Sequence, residues 1–212
     1  MKYPVLRCVV ACVLAVAPLG AVAGPDYWYA GVGLGYGKVA FYSDDFSSNG
    51  AAQESIKDAD LGFTGAVGVQ LTKHWGFEVN FIQLGKFTYK YDVGGAVQED
   101  RYEVSGWGFS VLPTLPLTRN FSAFGRLGVL ASQTRLTVRN PIVGGVPTNA
   151  ITPFQTNETS FLFGLGAQYF LNRDFGLRVE YQNLGKVGNT GCGTCTGRAN
   201  AQFLSASALF AF

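Results

Sequence analysis

Charge is scarce in this chain. Only 14% of its 212 residues are Asp, Glu, Lys or Arg, against about 25% in ordinary soluble domains. That is too little polar surface for a water-soluble protein of this size, so something other than water is expected to cover much of it. Histidine occurs once, and of the four cysteines two, Cys8 and Cys12, fall in the first 23 residues, leaving one CxxC pair with no second pair to complete a zinc site. No 3.6-residue apolar period is sustained beyond the first 23 residues, which excludes a helical bundle or an α/β fold. The Gly-x-Gly runs lie inside alternating segments and open no helix, so they are not phosphate cradles. A basic excess is missing too. Setting aside Lys2 and Arg7 of the leader, the 16 basic residues fall level with the 14 acidic ones, which speaks against a nucleic-acid partner.

The first 23 residues read as a secretory signal. Lys2 and Arg7 precede an apolar run from Val9 to Ala17, and Ala21-Val22-Ala23 gives the small-x-small pattern of a cleavage site. The run is too short to span a membrane, and Cys8 lacks the preceding small residues of a lipoprotein site. The expected organisation is a signal peptide over 1–23 and a single domain over 24–212.

What the domain does have is glycine, aromatics and a period of two. Its chain carries 28 glycines and 14% aromatic residues. In YWYAGVGLGYGK, Trp28, Ala30, Val32, Leu34 and Tyr36 point one way, and Gly31, Gly33, Gly35 and Gly37 the other. The same alternation recurs in DLGFTGAVGVQL and SFLFGLGAQYF. Eight such segments are expected as strands, at about 27–40, 60–72, 75–89, 101–115, 121–137, 159–171, 174–186 and 200–212. Short connections at 72–74, 117–120 and 172–174 alternate with long polar ones at about 41–59, 90–100, 138–158 and 187–199.

One face of each segment is bulky and apolar, and the other is largely Gly, Ser and Thr, too small to fill a sandwich core. Inverted, the pattern makes sense: the bulky face meets lipid and the small face lines a closed, narrow lumen. The fold expected is all-β, an eight-stranded antiparallel up-and-down transmembrane β-barrel, since lipid offers backbone groups no partners and only closure satisfies them. Short turns on one side and long loops on the other place both termini on the periplasmic side of an outer membrane. Trp28, Trp75, Phe77, Phe121, Tyr169, Phe175 and Phe212 gather at the short-turn end, as an interfacial aromatic belt would.

With the strands laid out, WYAGVGLGYGK, GFEVNFIQLGK, FGRLGV, LRVEYQNLG and the alternating C-terminal strand ending at Phe212 give the chain its relatives. In order and spacing it resembles the transmembrane domain of the outer membrane protein A family and its small-barrel kin. The resemblance spans nearly all of 24–212 and implies a cell outer membrane location. Some members continue into a peptidoglycan-binding domain; the sequence in hand ends at Phe212, and no wall-anchoring role is expected from it.

GFEVNFIQLGK at 76–86 and GLRVEYQNLGK at 176–186 share their outward residues and differ inside. Glu78, Arg178 and Glu180 have inward parity, as does Arg126, and together they are expected to form a neutral cluster of ion pairs in the lumen. It acts either as a static polar plug or, as the resemblance implies, as a gate that rearranges to pass small ions. Cys192 and Cys195 form a CxxC in a glycine-rich external loop, where an oxidising compartment favours a small structural disulfide over reactive thiols. The lone His74 lies in a short turn, away from any serine that it would activate, so no enzyme activity, metal or cofactor is expected. Expected partners are outer membrane lipid and lipopolysaccharide around a monomer. The function expected is structural, with a narrow ion pore as its extension; the alternative is an adhesin or receptor whose long loops bind host, lipopolysaccharide or phage ligands.

Overall fold

The computed structural model describes residues 27–41, 52–93, 96–139, 142–143, 146–147, 151–188 and 199–212. Eight long strands, β1 (Tyr27–Phe41), β2 (Ala59–Thr72), β3 (Trp75–Val93), β4 (Ala96–Pro116), β5 (Phe121–Arg139), β6 (Ile151–Phe170), β7 (Phe175–Val187) and β8 (Ala199–Ala211), each pair antiparallel with their sequence neighbours. β1 also pairs with β8, from Tyr29 opposite Ala211 to Phe41 opposite Ala199. The seam ends where Trp28 and Phe212 exchange backbone hydrogen bonds of 3.0 and 2.8 Å. Closure leaves the sheet no free edge along this seam, which is what lipid demands.

The three short turns share one device. The side-chain oxygens of Thr72, Thr118 and Asn172 each accept from the backbone N–H groups two and three residues on, with the longer reach at Trp75, Phe121 and Phe175. Such side-chain mimicry of a backbone turn reverses the chain in few residues. The aromatic residues expected at this end are found there: Trp28, Trp75, Phe77, Tyr169, Phe175 and Phe212 point outward and exposed, and Phe121 is half-buried.

At the other end the connections differ from expectation. The sheet continues through 90–93 and 96–100, so the long loop expected over 90–100 is mostly strand. β6 likewise begins at Ile151, eight residues earlier than the alternation indicates. Within the remainder of the expected 138–158 loop, Ile142–Val143 pairs with Val146–Pro147. Ala52–Lys57 adds a short strand to β3, reaching from Lys57 opposite Thr88 to Ala52 opposite Asp92. The β3–β4 ladder continues beyond the apolar band because the two strands still have each other as backbone partners there.

The lumen departs from expectation more consequentially. Its half toward the long connections is filled by a buried apolar cluster that includes Ile82, Leu84, Phe87, Leu130, Leu162 and Phe203. Large inward side chains are accommodated by facing glycines. A Cβ on Gly35 would lie 2.6 Å from the Phe203 ring, and one on Gly108 would lie 2.9 Å from Leu162. Reading β1 alone gives a lumen of small residues; the bulk that fills the space comes from other strands. At the short-turn end a smaller apolar group forms the floor, with Leu209 and Ala211 packed by Tyr27, Tyr29 and Phe170.

Candidate functional site

Between the apolar cap and the floor lies a layer of buried charge. Glu78 comes from β3, Arg126 from β5, and Arg178 and Glu180 from β7, all on inward positions flanked by outward apolar neighbours. The four side chains are 1–4% exposed and in mutual contact. Arg126 is the hub: its Nε donates to Glu180 Oε1 at 2.5 Å, and its Nη2 donates to Glu180 Oε2 at 3.0 Å and Glu78 Oε1 at 2.6 Å. Arg178 donates from Nη1 to Glu78 Oε2 at 2.5 Å and from Nη2 to the Gln168 Oε1 at 3.0 Å.

The sheet makes these contacts possible by what it omits. β5 and β7 are not neighbours; β6 runs between them, and it presents Gly164 opposite Arg126 and Gly166 opposite Glu180. With no side chain at those two inward positions, Arg126 reaches over β6 to Glu180. A Cβ on Gly166 would also lie 2.5 Å from the Phe124 ring, which carries the Arg178 guanidinium 4.7 Å from its centroid. A cation over an aromatic face is attracted to the ring quadrupole, most strongly where water is excluded.

Two further members belong to this layer. Tyr29 donates its hydroxyl to Glu78 Oε2 at 2.6 Å, and its ring centroid lies 5.1 Å from the Arg178 guanidinium. Gln168 completes the fork of Arg178. Inward parity is a signal for both: Tyr29 adjoins the glycine stripe of β1 on its inward face, and Gly68 leaves the space that its ring occupies. What parity did not supply is the height of each residue in the barrel.

Chemically the layer is neutral and largely self-satisfied. A cavity of about 10 Å³ lies among Glu78, Arg126, Arg178, Glu180, Gln182 and Ser207, room for one water molecule. Arg126 Nη1, Arg178 Nε and Gln182 Oε1 have no protein partner among the described residues, and two donors with one acceptor suit a single water. No substrate fits there. His74 is exposed in its turn, with Nδ1 3.3 Å from the Thr114 carbonyl oxygen. Cys192 and Cys195 lie outside the described residues.

The fold and the site can now be set beside known proteins. A family profile described as the OmpA-like transmembrane domain matches residues 24–212. Outer membrane protein A of Klebsiella pneumoniae is 25% identical over 181 residues, covering 84% of this chain and 49% of the relative. That of Yersinia pseudotuberculosis is 28% identical over 182 residues, covering 83% and 48%. The chain thus spans about half the length of the curated relatives it matches. Among solved structures, the attachment invasion locus protein Ail of Yersinia pestis, crystallised with the heparin analogue sucrose octasulfate, superposes with a TM-score of 0.49 at 11% identity, covering 87% of this chain and 99% of that one. The sequence match over residues 24–212, on a closed eight-stranded barrel with an apolar outer belt, decides the assignment: this chain belongs to the OmpA-like transmembrane domain family and is a multi-pass β-barrel of the outer membrane.

Proposed function

We propose that the protein is a structural, non-enzymatic and monomeric component of the outer membrane whose lumen is shut to ions, and that residues 1–23 are its cleaved leader. One observation carries the reading: the charged layer of Glu78, Arg126, Arg178 and Glu180 lies between two apolar layers of the same lumen. An ion passing through would have to part the salt bridges and then cross a dry stretch lined by Leu84, Phe87, Leu162 and Phe203, shedding water that nothing there replaces. Short turns toward the periplasm and the taller end toward the outside give the orientation, with both termini periplasmic. Outside, Cys192 and Cys195 form a local disulfide, which their spacing and the oxidising compartment favour.

Planar-bilayer recordings on the refolded, heat-modifiable barrel test the closed lumen. Flat baselines are expected, and reproducible single-channel steps overturn the proposal. A second reading, display of an external binding surface, is favoured by the uneven rim: β3 to β6 are 19, 21, 19 and 20 residues long, whereas β7 and β8 have 13 each. Replacing residues 140–150 by a two-residue turn should then abolish attachment to cells or matrix while the barrel still inserts; unchanged attachment refutes it.

A further inference from the structure

The outer face of β3 to β6 changes character row by row. The register aligns Val79, Phe109, Val129 and Phe161 in an apolar row, and above it Phe81, Trp107 and Ala131. The Phe81 and Trp107 rings lie 5.1 Å apart, as aromatic residues do where hydrocarbon gives way to headgroups. The next row is Gln83, Ser105, Gln133 and Asn157, and the one beyond it is Lys86, Glu103, Arg135 and Gln155. These rows face sideways, away from the lumen, since the intervening Leu84, Val104 and Thr134 are buried. Polar side chains at this height meet neither the lumen nor the hydrocarbon. They meet the headgroups of the surrounding lipid.

The two polar rows are also hollow. Ser105 is short between Gln83 and Gln133, and a cavity of about 220 Å³ opens there, lined chiefly by Phe81, Gln83, Glu103, Ser105, Gln133 and Arg135. Its charges are only loosely engaged with each other. Lys86 Nζ is 3.9 Å from Glu103 Oε1, a loose contact on a well exposed side chain. Arg135 is exposed, stands opposite Glu103 in register, and makes no ion pair among the described residues. Lys86 and Arg135 flank Glu103, and Asp60 sits beside Lys86, accepting its backbone N–H at 2.9 Å; of the two exposed cations, Arg135 offers a planar fork suited to phosphate oxygens.

We propose that this face of β3, β4 and β5 binds the phosphorylated saccharide headgroup of an outer-leaflet glycolipid. Lys86 and Arg135 hold the phosphate. Gln83, Ser105 and Gln133 exchange hydrogen bonds with sugar hydroxyls, and Phe81 offers an apolar floor to the sugar ring. The acyl chains of the same molecule continue down the row of Val79, Phe109 and Val129, so the site fits a lipid better than a free sugar phosphate. The proposal rests on the orientation given above, with the tall end of the barrel outside.

Native mass spectrometry of the barrel in micelles tests it, with diphosphorylated lipid A as the probe and fully dephosphorylated lipid A as its partner. Wild-type protein is expected to retain the diphosphorylated lipid at least about tenfold more tightly, as lost charge-assisted hydrogen bonds imply. Lys86→Gln with Arg135→Gln is expected to erase that difference, while Lys186→Gln on β7 leaves it intact. Equal retention of the two lipids by wild-type protein overturns the proposal without any variant. So does a loss caused equally by Lys186→Gln, which would mean a diffuse attraction to the whole rim, and so does release of bound diphosphorylated lipid A by excess glucosamine phosphate as readily as by lipid A itself, which would mean a sugar-phosphate site. Orientation is read separately, on intact cells, by labelling Lys86→Cys with a membrane-impermeant maleimide in a Cys192→Ser/Cys195→Ser background. No labelling there counts against the orientation, and the micelle result stands apart from it.

Discussion

Arg126 holds together more of the lumen than any of its neighbours, because its guanidinium alone bonds both acids. Take it away and Glu180 loses the guanidinium that bonds both its oxygens, while Glu78 keeps only Arg178 and Tyr29. Breaking a buried pair by deleting one partner typically costs about 3–5 kcal/mol, and Arg126→Ala is expected at the upper end of that range. Arg178→Ala should cost less, since Glu78 keeps its bonds from Arg126 and Tyr29. Double-mutant cycles by urea unfolding in lipid vesicles should give a larger coupling for Arg126 with Glu180 than for Arg178 with Glu180, a pair with no direct bond. Equal couplings would mean a diffuse field in place of discrete bridges. Alternation alone put these four charges on the lumen side of their strands. It did not reveal which acid each arginine takes, because that depends on strand stagger and on Gly164 and Gly166 clearing the way across β6.

At the level of the strand, the repeated text ends in Leu-Gly-Lys at 84–86 and 184–186, and both copies are β-bulges. The ladder skips between Gln83 and Lys86 in β3 and between Asn183 and Gly185 in β7. Gly85 and Gly185 take positive φ of 97° and 70°, a region open to glycine and strained for other residues. The extra residue shifts the parity, so Leu84 and Phe87 both turn inward, as do Leu184 and Val187, and each lysine turns out. Sequence alternation breaks at Gln83 and Asn183, while the strands themselves run on, β3 to Val93 and β7 to Val187. A period-two reading has no place for an inserted residue, and it therefore puts Phe87 and Val187 of the apolar cap on the wrong face. Gly85→Ala is expected to destabilise by about 1–3 kcal/mol, the range of such backbone strain, and more than Gly185→Ala. The added Cβ would lie 2.6 Å from the Leu61 carbonyl oxygen in the first and 2.9 Å from that of Phe161 in the second. Gly125→Ala, whose Cβ would find its nearest neighbour at 3.4 Å, serves as the control. Midpoints of urea unfolding rank the three, and a Gly125 loss as large as that of Gly85 would show that neither bulge nor crowding governs the effect.

The whole molecule is a stack inside a tube: an apolar floor, a neutral charged layer, and an apolar cap that continues toward the tall rim. Such a stack separates the stability of the layer from its role as a barrier. Replacing a buried ion network by apolar or neutral side chains of similar volume is often neutral or stabilising, so Glu78→Gln, Arg126→Met, Arg178→Met and Glu180→Gln combined should leave a barrel that still shifts on gels with heating. If the network were the sole gate, that barrel would conduct. With the cap in place it is expected to stay silent in planar bilayers, because an ion still meets the unbroken wall of Leu84, Leu130, Leu162 and Phe203. Thinning the cap alone, by Leu84→Ala and Phe203→Ala, should also leave the lumen shut, now by the salt bridges beneath. Steps are expected only when both sets are combined, and conductance from the neutralised network alone would mean that the cap is no barrier and that the charged layer by itself keeps this barrel closed.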